Sequence, residues 1–427
     1  MFVCILILLM AGFPAAFTFA GVALIFAVFI FGFEESLVIF SAMPYRIDES
    51  LMQNKILIAI PLFIFMGIVL QKTLMAERLL ESMGKLFGRV KAGIAISTVL
   101  VGALLAATTG VVGASVVAMG VIALPVMLKN KYSPELSCGV ICASGTLGQI
   151  IPPSIVLIIL GDVLQVPVGD LFKAAVIPGL ILVTAYIVYI LIYAYVKKDS
   201  APALKSTEDI KTRWVNSLKA IVPPLVLIVL VLGSIFMGIA TPTESAAVGG
   251  IGAVLLSLIY KEFTFKRIKE SAFETVKITG MVFAIFIGAT AFSLVFTETG
   301  GHEVVETVLL SLPAGKWGFI IFSMIAIFLL GFFIDFVEIS YIVVPILFPI
   351  AQKLGIPMVW FGILLAMNLQ TSFLTPPFGF SLFYLKGVAP PSIKTITIYK
   401  GVVGFILIQV AVLISVVLFP DVFGLTK

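Results

Sequence analysis

A polar segment ending in two consecutive prolines occurs twice, each time deep inside apolar sequence. The first is Gly145-Thr-Leu-Gly-Gln-Ile-Ile-Pro152-Pro153-Ser154 and the second Leu369-Gln-Thr-Ser-Phe-Leu-Thr-Pro376-Pro377-Phe378, with Pro152 and Pro376 separated by 224 residues. A proline removes a backbone donor and pushes the residue before it out of helical geometry, so a helix is expected to break at each pair. Around them, 61% of the 427 residues are hydrophobic and 11% are charged, against about 25% charged in a soluble domain. Apolar stretches able to cross roughly 30 Å of hydrocarbon recur along the chain and predict about 11 to 13 membrane elements, an all-α polytopic protein. Breaks at matching places in two halves of such a protein point to the substrate and ion site of a transporter.

The repeat extends beyond the prolines. Gly93 pairs with Gly318, Ser115 with Ser340, Gly139 with Gly362 and Gly161 with Gly387, at spacings of 223 to 226 residues. A near-constant offset over this length indicates duplication. The expected units are an N-terminal scaffold segment 1–53, a first repeat 54–196, a connector with scaffold helices 197–276 and a second repeat 277–427. Hydropathy leaves open whether the repeats are parallel or inverted. The N-terminus lacks the basic region of a signal peptide and reads as a retained span, bent at Gly12-Phe-Pro14. Lys197, Lys198, Lys205, Lys211, Arg213 and Lys219 crowd one connection, and Lys261, Lys266, Arg267 and Lys269 another. By the positive-inside rule both face the cytoplasm, so 220–240 and 245–260 leave and return as a pair.

Between the spans, Thr73 to Arg89 places Met75, Leu79, Leu80, Met83, Leu86 and Phe87 on one helical face and Glu77, Arg78, Glu81 and Lys85 on the other. This is the pattern of an interfacial helix, with a stripe available to lipid or to a neighbouring subunit. The segment with Glu298, His302, Glu303 and Glu306 is its expected counterpart. His302 reads as a loop residue beside Gly300-Gly301, with a proton relay as the alternative. Thr241-Pro-Thr-Glu244 has capping-box spacing with proline at the first helical position. Cys4, Cys138 and Cys142 lack metal-ligand spacing and read as small core side chains.

Polar oxygens recur at two places in each half. Thr108-Thr109-Gly110-Val-Val-Gly113-Ala-Ser115 and the Ser144, Thr146, Gln149, Ser154 segment serve the first. The second has Asp335-Phe-Val-Glu338-Ile-Ser340 and then Asn368, Gln370, Thr371, Ser372 and Thr375. Unwound backbone exposes carbonyl oxygens, which with hydroxyls, amides and a carboxylate suit a small cation, while helix amide ends suit an anion. Asp335 and Glu338 are the informative charges, because carboxylates within apolar sequence are rare and functional by default. The bland alternatives are a solvated membrane edge for the acids and back-bonding to the helix for the hydroxyls.

At these residues the chain resembles the large membrane subunit of tripartite ATP-independent periplasmic (TRAP) transporters. The resemblance is carried by Gly331-Phe-Phe-Ile-Asp335, Asn368 to Gly379, Gly148 to Ser154, Ala240-Thr-Pro-Thr-Glu244 and Gly12-Phe-Pro14, and it covers nearly the whole chain. It implies two inverted repeats with broken helices and two re-entrant hairpins, an elevator-type transport domain against a scaffold, Na+ as coupling ion, and a bacterial inner-membrane location. It also implies import of an organic acid delivered by a periplasmic binding protein, and a small membrane subunit of about four helices, this chain resembling the unfused form. By the same resemblance Thr109, Gly110, Ser115 and Thr146 belong to one sodium site, and Asp335, Glu338, Asn368 and Thr375 to the other. Ser154, Thr371 and Ser372 are the expected substrate contacts. Glu338 together with Phe378-Gly-Phe-Ser resembles the branch named for mannitol or chloroaromatic compounds, which contains 2-oxoacid and lactate systems.

Other readings are an autonomous carboxylate carrier of the same superfamily, a channel and an intramembrane enzyme. The enzyme is disfavoured by the single histidine and by the lack of His-Glu-x-x-His, a nucleophile elbow or a phosphate loop. With no nucleotide motif, energy is expected from an ion gradient, and no nucleic-acid partner is expected.

Overall fold

The computed structural model describes residues 1–73, 75–87, 90–197, 199–203 and 210–425, with the side chains of 75–77, 108, 109 and 210–213 also outside the described set. Arg89, Lys198 and Lys205, and the side chains of Thr108, Thr109, Lys211 and Arg213, therefore lie outside the described residues.

The first span is bent as expected, into α1 (Phe2–Met10) and α2 (Ala15–Phe31). Gly12 takes φ +88° and Pro14 opens the second helix with its N–H already absent. Short helices α3 (Phe33–Phe40) and α4 (Met43–Ile47) lead through a π-helical turn, Asp48–Met52, to α5 (Ala59–Lys72). The interfacial helix is α6 (Met75–Phe87). Its Leu79, Leu80 and Met83 are buried against neighbouring helices of the same chain, which corrects the expectation that lipid or a second subunit covers the whole stripe.

The first repeat continues through α7 (Gly93–Thr109), α8 (Val112–Lys129), α9 (Pro134–Thr146), α10 (Ile155–Val163) and α11 (Val168–Val196). The connector holds α12 (Ile210–Phe236) and α13 (Pro242–Ile259), the latter opened by the full Thr241–Glu244 capping box. Next, α14 (Phe265–Glu298) carries the chain without interruption across the expected 276/277 boundary. His302 is not in a loop. It sits in the first turn of α15 (Gly301–Leu310), its ring edge-on to Phe296 at 5.2 Å, and its partial burial there holds the imidazole below its ordinary pKa.

The second repeat follows with α16 (Lys316–Leu330), then α17 (Phe336–Glu338) running through a π turn, Ile339–Val343, into α18 (Val344–Lys353). It ends with α19 (Met358–Leu374), α20 (Phe380–Val388) and α21 (Thr395–Leu418). Among the described residues, 7 helices are long and apolar enough to span a membrane; α2, α5, α7, α16 and α19 are shorter apolar helices.

Packing separates two groups. Helices α2, α5, α12, α13 and α14 pack largely on one another, and the later parts of the two repeats, from α7 and from α16 onward, form a second body in which α9 lies on α7, α8 and α21 while α19 lies on α16, α11 and α21. A double proline alone does not end a helix. Pro223-Pro224 lies inside α12, which continues to Phe236, whereas Pro152-Pro153 is followed by Ser154, whose hydroxyl accepts from Leu157 N–H and starts α10 afresh. Pro152-Pro153 and Pro376-Pro377 are both cis.

Candidate functional site

In each repeat a break between consecutive helices, α7–α8 in the first and α16–α17 in the second, is folded onto the segment that carries the double proline. In the first, Gly110 closes α7 at φ +61°, and a Cβ there would lie 2.9 Å from the Ile155 side chain. Only glycine meets both demands. Gly148 approaches the α7 backbone so closely that a Cβ would sit 2.9 Å from Ala106 O. The second repeat makes the same approach with glycine on the opposite partner: a Cβ on Gly331 would meet Ser372 Oγ at 2.4 Å.

The first break thus brings Gly110 beside the start of α10, with Ser115 buried in the first turn of α8 and Thr146 at the end of α9. The Thr146 hydroxyl donates to Ala143 O at 2.9 Å and accepts from Gln409 Nε2 at 3.4 Å, so it faces α21. Thr109, the fourth residue of the set, has its side chain outside the described residues. No carboxylate belongs to this set.

The second break has two. Asp335 caps α17, its Oδ1 accepting from Phe336 N–H at 2.7 Å. Glu338 is 6% exposed, and its Oε2 has no hydrogen-bond partner among the described residues. Part of its side chain lines a small apolar pocket with Phe2, Ile5 and Phe19. Asn368 stands apart: its Nδ2 donates to Met324 O at 2.7 Å, and seven residues separate it from Thr375, about 10 Å along α19. Thr375 donates to Thr371 O at 2.7 Å. The second predicted set is therefore divided between α17, which carries Asp335 and Glu338, and two levels of α19, which carries Asn368 and ends at Thr375.

The three expected substrate contacts are buried and internally bonded. Ser154 donates to Gln149 O at 2.8 Å, Thr371 to Met367 O at 2.8 Å and Ser372 to Phe328 O at 2.9 Å. Of these hydroxyls only Thr371 bonds back to its own helix; Ser154 reaches across the double proline, and Ser372 crosses to α16.

A large cavity lies elsewhere. About 690 Å³ in volume, it opens between α4 with its π turn, the end of α10, α14 and the start of α18. Arg46, Glu49, Asp162, Ser293 and Tyr341 supply its polar wall. Asp162 accepts from Asn54 Nδ2 at 2.6 Å and from the Tyr341 hydroxyl at 3.1 Å, which ties the first repeat to the second. Arg46 makes no ion pair among the described residues. Asp162 lies eight residues beyond Ser154, about 12 Å along the helix, so the cavity and the double proline are distinct places. Sequence reading missed both Arg46 and Asp162. The available signals were that Arg46 is the first basic residue of the chain and that Asp162 ends an apolar run.

With this geometry in hand, comparison with known proteins is informative. The family model described as tripartite ATP-independent periplasmic transporter, DctM component, matches residues 2–422. A C4-dicarboxylate TRAP transporter large permease protein of Pseudomonas aeruginosa is 34% identical over 333 residues, covering 78% of this chain and 77% of that one. Its counterpart in Rhodobacter capsulatus is 31% identical over 381 residues, covering 86% and 85%. Among solved structures, the Alcanivorax borkumensis YdaH transporter superposes with a TM-score of 0.65 at 12% identity, covering 91% and 90%, a likeness of fold.

Proposed function

We propose that this chain, which belongs to the DctM component family of tripartite ATP-independent periplasmic transporters, imports a small organic carboxylate by coupling it to sodium. The chain is a multi-pass membrane protein of the bacterial inner membrane and a transporter permease component. The observation that carries the substrate reading is the 690 Å³ cavity with Arg46 on its wall. A guanidinium without an ion pair among the described residues suits a carboxylate bidentately, and the C4-dicarboxylate named for two relatives is of that chemical class. Asp162 forms no ion pair with Arg46; its two oxygens accept from Asn54 and Tyr341.

Sodium is the coupling ion in this reading, bound at the two breaks by the sets named from the sequence, Thr146 excepted because its hydroxyl is engaged by Ala143 and Gln409. Glu338 supports it: a buried carboxylate oxygen without a partner is costly unless a cation stands beside it. The two packing groups support an elevator in which the repeat body moves against α2, α5, α12, α13 and α14. Family membership further implies a small membrane subunit and a periplasmic binding protein as partners. The narrower substrate branch read from Glu338 and Phe378-Gly-Phe-Ser stays a proposal, with 2-oxoacids and lactate as its candidates.

The test is uptake of labelled carboxylates into proteoliposomes holding this chain alone, with the small subunit, or with both partners. Only the complete set should accumulate substrate, and only with an inward sodium gradient. A negative interior accelerates uptake if cations outnumber substrate charges, each uncompensated charge gaining about 2.3 kcal/mol per 100 mV. Full activity from the chain alone would favour an autonomous carrier. Uptake unchanged when choline replaces sodium would remove the sodium coupling.

A further inference from the structure

Four polar side chains meet where the repeats touch, remote from the cavity. Thr146 and Gln370 occupy matching positions 224 residues apart, each on the helix that ends at a double proline. Tyr186 and Gln409 lie on α11 and α21, the helices that close the two repeats. All four are at most 1% exposed. Gln409 donates to Thr146 across the α9–α21 contact, and the Tyr186 hydroxyl faces Gln370 and Gln409 across α11–α19 and α11–α21. The cross-contacts are exchanged between the halves: the break-bearing helix of each repeat touches the closing helix of the other. That is the pattern expected about a pseudo-two-fold axis.

The polar inventory is not closed by protein groups. The Tyr186 hydroxyl, both ends of the Gln370 amide and Gln409 Oε1 have no hydrogen-bond partner among the described residues that meets normal geometry. Groups that face one another without a direct bond are the setting in which a buried water bridges, given two to four polar partners. A cation fits less well, because hydroxyl and amide N–H donors point into the cluster and no carboxylate belongs to it.

We infer that Thr146, Tyr186, Gln370 and Gln409 form a hydrated polar clasp that fixes the two double-proline breaks relative to each other. Tyr186 and Gln409 act here as positioning residues: each touches the helix leading to the other repeat's break and neither lies in a break. The inference bears on how the repeat body moves, but its test does not depend on sodium coupling or on the substrate.

The experiment is hydrogen–deuterium exchange on the full chain in lipid nanodiscs, comparing wild type with Tyr186→Phe and Gln409→Met. Removing one buried partner on α11 or α21 should raise exchange by roughly tenfold at the ends of both α9 and α19. A change confined to the mutated helix, or no change, overturns the clasp. If Tyr186→Phe does not yield folded protein, Gln409→Met carries the same readout from the opposite helix. A cryo-EM map of the wild type that resolves water should show ordered density among the four side chains. A map with none there, and the groups in direct contact, overturns the hydration.

Discussion

The two sites where a helix break packs on a double-proline segment share a backbone plan and differ in chemistry. The first is neutral: Gly110, Gly148 and small hydroxyls are packed so closely that backbone meets backbone. The second is charged and aromatic, with Asp335 and Glu338 at the head of a helix that passes through a π turn, and Phe333, Phe336, Phe373, Phe378 and Phe380 around it. Close packing fixes shape, whereas a carboxylate fixes affinity for a cation. The first break is thus built as a rigid mould and the second as the place where charge is gained or lost. π turns recur at functional sites, because the widened turn leaves backbone carbonyls without their usual donors.

The largest effect is expected where that difference is greatest. Asp335→Asn keeps the shape and removes the charge, so sodium-dependent uptake should need at least about tenfold more sodium, equivalent to about 1.4 kcal/mol. Asp335→Ala should be worse. A sodium titration in proteoliposomes checks this, and an unchanged midpoint for Asp335→Asn would make Asp335 a helix cap and nothing more.

The mould should fail by crowding. Gly148→Ala puts a methyl 2.9 Å from a backbone oxygen that cannot rotate away, and overpacking of this kind costs about 1–3 kcal/mol. Gly331→Ala meets the Ser372 hydroxyl instead. That group can turn aside by giving up its bond to Phe328 O, but Ser372 Cβ, 2.9 Å from the added methyl, cannot, so the cost should be comparable, and Ser372→Ala should relieve only the hydroxyl's share. Thermal unfolding of the detergent-solubilised chain ranks the three. A clearly smaller loss for Gly331→Ala than for Gly148→Ala would mean that the second break yields where the first does not.

A charge outside the bilayer sets the lower bound. Glu262, in the turn between α13 and α14, pairs with Arg267 and with Arg78 of α6. The Arg267 hydrogen bond, ahead of the other causes, holds its carboxyl below the usual carboxylate range. A depressed folded-state pKa contributes stability above the unfolded-state value and loses it as pH falls through the folded one. Glu262→Gln should therefore cost a little stability at neutral pH and progressively less as pH falls through the folded-state value, an order of effect far below that at Asp335. A loss that acidification leaves unchanged would assign Glu262 a packing role.

Much of this was readable from residue order. Composition and the length of apolar runs decide that the chain is helical and spans a membrane, because unpaired backbone is not tolerated in hydrocarbon. The constant offset between halves decides the duplication. Capping at Thr241 and Glu244, the bend at Gly12 and Pro14, and the amphipathic α6 are local chemistry, and local sequence carries them. Which polar group meets which was settled only by packing. Pro223-Pro224 and Pro152-Pro153 are alike as dipeptides, yet only the second pair is followed by a serine that caps a new helix. Thr146 was read as an ion ligand and turns to Gln409, 263 residues away. Asp162 and Arg46, both lining one cavity, are unremarkable in one dimension. Helices form from neighbours in sequence, whereas a site forms from side chains that only the crossing of several helices brings within a few ångströms, and no local pattern records that crossing.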